Sequence, residues 1–167
     1  CHAGAFIEVQ GIRSAGKTYL TYRFAAMVQE IYGEDAKIAV YATEQRPDKS
    51  FARMAGFCVA YSEDEIAHLN QIRIDSGQNE FTEEELADLR HQIGEVVYIV
   101  ADTAESGLEV ALEAIRSNIF QILIVDSLGG LMTKAVEEGD IMDKQYGGVS
   151  VPMTTFVNKA YALLMMD

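Results

Sequence analysis

Apolar runs of strand length alternate with segments of helical spacing along most of this 167-residue chain. Strand-forming residues fill positions 5–10, 37–43, 96–101 and 120–125. The last three runs are almost continuously apolar, which is typical of strands buried on both faces. Strands of this kind, alternating with helices, predict an α/β fold with a mostly parallel sheet and helices on both of its faces.

Apolar residues at intervals of three and four positions predict the helices. The spacing gives a helix from about residue 17 that ends at Gly33, a short helix around Phe51 that ends at Gly56, a helix that begins at 102–105, and a closing helix from Ser150. We detect no internal repeat and no low-complexity segment.

Residues 61–95 differ in character from the rest of the chain. Ser62 with Glu65, and Thr82 with Glu85, have the spacing of a capping box, in which two residues at a helix start exchange hydrogen bonds. We therefore predict two helices joined by a polar turn, that is, a helical hairpin. Its ten acidic and two basic residues carry −8 of the net charge of −13. Such a charge favours a solvated surface over a docking face.

A glycine-rich loop precedes the first helix. Residues 11–18 read Gly-Ile-Arg-Ser-Ala-Gly-Lys-Thr, which matches the phosphate-binding pattern G-x-x-x-x-G-K-[ST]. In this pattern backbone N–H groups and the helix start face phosphate oxygens, the lysine reaches the β- and γ-phosphates, and the hydroxyl ligates Mg²⁺. The pattern predicts a nucleotide site, whose candidate contacts are Gly11, Ser14, Ala15, Gly16, Lys17, Thr18 and Tyr19.

Two acidic residues follow predicted strands. Asp126 ends the apolar run 120–125, which is typical of a Walker B strand, whose carboxylate holds Mg²⁺ beside the hydroxyl of the loop. Position 127 is Ser, where many such ATPases have a catalytic Glu. We therefore predict that Glu44, at the carboxyl end of 37–43, orients the attacking water, because ligands bind at that edge of open α/β sheets. A capping or solvated role is the alternative for Glu44.

The loop, the strand before Glu44 and the sequence from Ile122 through Asp126-Ser-Leu together resemble the ATPase core of the RecA family of DNA strand-exchange recombinases. Residues 126–140 are similar, without a gap, to the family's segment after Walker B. The resemblance implies that Asp48 contacts adenine and that Phe51 stacks on the base. A plain core aromatic is the competing interpretation of Phe51.

The resemblance implies a single RecA-like core over residues 1–167, with 61–95 inserted, that binds ATP and Mg²⁺. It also implies self-association into a filament or ring on single-stranded DNA. Because the chain begins at Cys1 and ends within a helix, we expect the core to be incomplete at both ends. We expect its sheet to lack a strand between 5–10 and 122–126; direct pairing of residues 6–10 with 122–126 would contradict this.

Residues 137–148 form the candidate DNA contact, because the family's corresponding loop lines the filament axis. The candidate side chains and glycines are Lys134, Lys144, Tyr146, Gly147 and Gly148. Lysines suit phosphates, the tyrosine suits a base, and glycines permit close backbone approach. The chain departs from bacterial members at Val151 and Asn158, where they offer Arg, and this loop is net acidic.

Composition narrows the possible partners. A net charge of −13 argues against a broad basic face for nucleic acid, although not against a local one. No apolar run has membrane-spanning length and the first residues lack a signal-peptide pattern, so we expect a cytoplasmic protein without a membrane partner. Cys1 and Cys58 do not make a disulfide framework, and the histidines show no ligand spacing with them.

The phosphate-binding pattern predicts a nucleotide site, and the resemblance to the RecA family further implies a DNA-dependent ATPase of recombination and repair. Lys17 stabilises phosphate charge, Thr18 and Asp126 hold Mg²⁺, and Glu44 positions water. A helicase or loader motor of the same superfamily is the first alternative. A nucleotide-gated assembly scaffold with little ATPase activity is the second, and a small-molecule kinase, which would need an acceptor site and a lid, is the third.

Overall fold

The computed structural model describes residues 4–12, 14–43, 49–127 and 150–165 of the chain. The described elements are, in chain order, α1 (Lys17–Tyr32), a 3-10 turn (Gly33–Asp35), β1 (Lys37–Ala42), α2 (Lys49–Met54), α3 (Glu63–Asp75), α4 (Glu83–Arg90), β2 (Glu95–Ile99), α5 (Ala104–Ser117), β3 (Ile122–Asp126) and α6 (Ser150–Leu164). None of these helices is long and apolar enough to cross a membrane.

Three parallel strands form the sheet, in the order β2-β1-β3. Val40 at the centre of β1 lies opposite Tyr98 of β2 on one side and Ile124 of β3 on the other. β1 is the most deeply buried strand, with Ile38 and Val40 inaccessible to solvent. The predicted parallel α/β arrangement is confirmed for these three strands.

Helices cover both faces of the sheet, as the apolar strands predict. Alternate side chains of β1 point to opposite faces. On one face Ile38 and Val40 join residues of α1 and α2 in a core that contains the fully buried Phe57. On the other face Tyr41 packs with residues of α5 and with Phe156 of α6.

The predicted strand at residues 5–10 is wrong. These residues form no strand, and all but one of them are exposed. Strand composition shows only that a segment suits a pleated surface, whereas a strand also needs a neighbour for its backbone N–H and C=O groups. Within the described residues β3 pairs only with β1, so the pairing of 6–10 with 122–126 is not formed. The expectation of a further strand stays a prediction.

The acidic segment forms the two predicted helices, α3 and α4. Both capping boxes are present, with Ser62 and Glu65 at the start of α3 and Thr82 and Glu85 at the start of α4. Ion pairs join opposite ends of the two helices, Glu63 with Arg90 and Arg73 with Glu85, so the helices run antiparallel. That this segment is an insertion stays a prediction.

Gly107 of α5 lies directly against the side chain of Tyr41 in β1. A Cβ atom at this position would overlap the hydroxyl and ring of Tyr41, which is 3% exposed. The sheet can therefore pack against α5 only because residue 107 has no side chain.

We predict that Gly107→Ala destabilises the fold. Alanine gains about 1 kcal/mol over glycine in a helix, but overpacking a buried site costs about 1–3 kcal/mol, and the Tyr41 ring that would have to shift is only 3% exposed. The free energy of unfolding, measured with denaturant, should fall. In the background Tyr41→Leu, which removes the obstructing ring, the same substitution should cost less. A more stable Gly107→Ala protein would contradict this packing.

Candidate nucleotide-binding site

The glycine-rich loop leads directly into α1. Gly16 is the N-cap residue, with φ of 86°, a left-handed conformation that costs other residues about 1–2 kcal/mol. The first helical hydrogen bond runs from the amide of Leu20 to the Gly16 carbonyl at 3.0 Å. The N–H groups of Lys17, Thr18 and Tyr19 precede it, and Gly16 has no side chain with which to cap them.

This helix start has the electrostatics of an anion site. Uncapped N–H groups and the helix dipole give it partial positive charge, and the first turn contains no acidic residue that would neutralise it. The described residues of the loop, Gly11, Ile12, Ser14, Ala15 and Gly16, are all exposed. An anion can therefore reach these donors from solvent.

Lys17 closes the loop on itself. Its ammonium group donates hydrogen bonds to the carbonyls of Gly11, at 2.9 Å, and Ile12, at 2.8 Å. These bonds hold a full positive charge against the same loop whose backbone leads into the helix start. An incoming phosphate would compete with the two carbonyls for the ammonium, and it would bond more strongly because it carries a full negative charge and the carbonyls are neutral.

Two aromatic rings join the start of α1 to α2. Tyr19, which directly follows Thr18, meets Phe51 edge-on with ring centroids 6.1 Å apart. Phe51 is half-buried and also packs against the core on the α1 side of the sheet. The core contact agrees with the interpretation of Phe51 as a core aromatic, whereas stacking on a base stays a prediction.

The carboxyl ends of β1 and β3 lie side by side. Ala42 is opposite Asp126, the Thr43 amide donates to the Asp126 carbonyl at 2.9 Å, and the Thr43 hydroxyl donates to the Ser127 carbonyl. The half-buried Asp126 thus stands at the strand end next to the one that leads to Glu44. α1, which carries Thr18, contacts β3. A hydroxyl and a carboxylate supply the oxygen ligands that suit Mg²⁺.

Several predicted site residues lie outside the described residues. They are Glu44 and Asp48, and the DNA candidates Lys134, Lys144, Tyr146, Gly147 and Gly148. Their roles stay predictions from the sequence.

Arg53 of α2 is a central side chain that the sequence patterns did not single out. Its guanidinium donates to the carbonyls of Val59, at 2.9 Å, and Ala60, at 3.0 Å, and pairs with Glu65 at 3.0 Å. The same group lies 3.4 Å from the centroid of the Tyr61 ring. These partners are six to twelve positions away in the chain, a spacing that neither helical nor strand periodicity reveals.

The Arg53 pair changes the acidity of Glu65. Hydrogen bonds from Arg53 are the largest cause that lowers the pKa of Glu65 to about 2; burial opposes them and the amide and hydroxyl of Ser62 add to them. Glu65 thus serves α3 as part of its capping box and α2 as the partner of Arg53.

The same bonding pattern recurs at the α3–α4 junction. Arg73 donates to the Asn79 carbonyl, pairs with Glu85 and lies over the Phe81 ring at 4.3 Å. Each of these residues lies twenty positions after its counterpart around Arg53. The two sites thus share an arginine, an aromatic residue and a capping box.

A cavity of about 270 Å³ lies beside Arg53, between residues 56–61 and α4. Cys58, Asp88 and His91 are among the residues that line it. None of the candidate nucleotide contacts does.

We predict that Glu65→Gln removes an acid-sensitive part of the stability. The pKa of Glu65 is about 4.5 in the unfolded chain and about 2 in the fold, so the ionised pair stabilises the fold above about pH 5 and this contribution disappears as the pH falls towards 2. A partly exposed pair of this kind contributes about 1 kcal/mol.

Denaturant unfolding at pH 7, 4 and 2.5 would measure this effect. The difference between the parent and Glu65→Gln should be largest at pH 7 and small at pH 2.5. Glu84→Gln is the matched control, since Glu84 is an exposed acid in the first turn of α4. Equal effects of the two substitutions would show that the helix start, and not Arg53, accounts for the loss.

The chain is similar to bacterial RecA proteins over most of its length. It is 28% identical over 144 residues to protein RecA of Bacillus thuringiensis (strain Al Hakam) and 27% identical over 144 residues to protein RecA of Clostridium tetani. Each match covers 86% of this chain and 31% of the relative, so the chain spans about a third of the length of these proteins. No protein-family model matches the chain. The similarity supports a RecA-like relationship.

Proposed function

We propose that this chain is an ATP-binding and ATP-hydrolysing core, related to RecA, that acts in DNA recombination or repair by assembling on single-stranded DNA. The observation that carries the proposal is the start of α1. There an exposed loop presents uncapped N–H groups and the Lys17 ammonium without an acidic residue in the first turn. The similarity to RecA proteins supports the same activity.

The residues of the proposed site fall into two groups, those that bind the phosphates and those that bind Mg²⁺. Lys17 and the backbone of Gly11, Ser14, Ala15 and Gly16 bind the phosphates, whose negative charge they offset. Thr18 and Asp126 hold Mg²⁺ through oxygen atoms, and the ion supplies further positive charge beside the phosphates.

Glu44 and Asp48 complete the proposal from the sequence. Glu44, which directly follows Thr43 in the sequence, orients the attacking water. Asp48 contacts the base, on which Phe51 stacks from α2 with Tyr19 beside it.

DNA binding and assembly are the part of the proposal that rests on the resemblance and the similarity alone. Lys134 and Lys144 meet phosphates, Tyr146 packs on a base, and Gly147 and Gly148 let the backbone approach the strand. One core spans residues 1–167, with 61–95 as an insertion into it.

The experiment that tests the proposal is ATP turnover measured with and without single-stranded DNA. We expect DNA to stimulate turnover, Lys17→Ala to abolish it, and Glu44→Gln to reduce it about a hundredfold or more while ATP still binds. Lys37→Ala is the matched control, because Lys37 begins β1 at the opposite edge of the sheet from Thr43.

Other results would identify other functions. ATP binding with little turnover in either condition would favour the nucleotide-gated scaffold. Turnover that requires a small-molecule acceptor and ignores DNA would favour the kinase. A Lys17→Ala protein that turns over ATP at the parent rate would contradict the proposed site itself.

A further inference from the structure

We propose that Arg53 is a positioning residue of the base site, which fixes α2 and thereby holds the ring of Phe51 beside the start of α1. The inference rests on the proposed function, since it takes Phe51 to be the residue that a nucleotide base meets. It assigns to Arg53 an indirect part in base recognition, whereas the contacts predicted from the sequence do not include Arg53.

The first argument is that α2 cannot hold its own position. It has six residues, Lys49–Met54, and an isolated helix of fewer than about 12 residues is not stable in water. Its place must therefore come from contacts with the rest of the fold. Buried Ala52 and the half-buried Phe51 ring supply such contacts, but apolar contacts are not directional and do not by themselves fix how a short helix is oriented.

Arg53 supplies directional contacts. The planar guanidinium bonds to the carbonyls of Val59 and Ala60, to the carboxylate of Glu65, and stacks on the ring of Tyr61. Its side chain is only 13% exposed, so water competes little for these bonds. Several bonds from one rigid group fix its orientation, which a lysine ammonium cannot reproduce. The end of α2 is thus tied to the start of α3.

The second argument concerns what lies on the other side of α2. Phe51, two positions before Arg53, contacts Tyr19, and Tyr19 directly follows Thr18, the proposed Mg²⁺ ligand. Phe51 and Arg53 lie on one short helix, so a rotation or shift that loosens Arg53 also moves the Phe51 ring relative to the loop. The proposed phosphate contacts are made by the loop and the start of α1, and none of them involves a residue of α2.

The structure provides its own control in the second copy of this bonding pattern. Arg73 makes the same kinds of contact with Asn79, Phe81 and Glu85. It ties α3 to α4 instead of α2 to α3, and no candidate nucleotide contact lies on either of those helices. A substitution at Arg73 thus reproduces the chemical change without a direct link to Phe51.

The test compares two ligands that share phosphates and differ in the base. Affinities for MgATP and for magnesium tripolyphosphate are measured by calorimetry for the parent, Arg53→Lys, Glu65→Gln and Arg73→Lys. We expect Arg53→Lys and Glu65→Gln to bind MgATP about threefold to tenfold more weakly, because the stacking contact between Phe51 and the base would be loosened. Tripolyphosphate affinity should stay within about twofold of the parent, and Arg73→Lys should leave both affinities unchanged.

Each other outcome overturns the inference. If Arg53→Lys lost the same affinity for both ligands, Arg53 would serve only the stability of the fold. If Arg53→Lys lost affinity for neither ligand, or if Arg73→Lys changed the affinities equally, Arg53 would have no part in the base site. Phe51→Ala separates this from failure of the proposed function. If Phe51→Ala weakens MgATP alone and Arg53→Lys does not, only the positioning role is wrong; if Phe51→Ala changes nothing, the base site is wrong too.

Discussion

The rest of the structure depends on the pairing of β1 with a parallel strand on each of its sides. β2 and β3 pair with its two edges, helices cover its two faces, and its residues Ile38, Val40 and Tyr41 lie in the two cores. The same pairing aligns the carboxyl ends of β1 and β3, so that Thr43 bonds to the backbone at Asp126 and Ser127. The pairing therefore brings Thr43 next to Asp126, which lies in a distant part of the chain.

Much of this fold could be predicted from the sequence, because its signals are local. The three paired strands are apolar runs bounded by helices, and both capping boxes follow from residues three positions apart. The loop pattern also places a glycine directly before α1, where the backbone of Gly16 is left-handed. In each case the cause of the structure lies within a few residues of its effect.

The features that the sequence did not reveal depend on distant partners. Residues 5–10 have strand composition, but their pairing would be decided by a neighbour and not by the segment itself. Arg53 bonds to two carbonyls, and backbone carbonyls have no sequence signature. The net charge of the acidic segment indicates only a solvated surface. In the structure Glu63, Glu65 and Glu85 pair with arginines, and these ion pairs connect α2, α3 and α4.

The central claim of this account is that nucleotide phosphates bind at the start of α1, and backbone amide NMR shifts on addition of MgATP test it most directly. The largest changes should occur at Gly16, Lys17 and Thr18, because their N–H groups would bond to phosphate as Lys17 leaves the carbonyls of Gly11 and Ile12. Unchanged amides at these residues, with the main shifts at the cavity lined by Cys58 and His91, would contradict the claim.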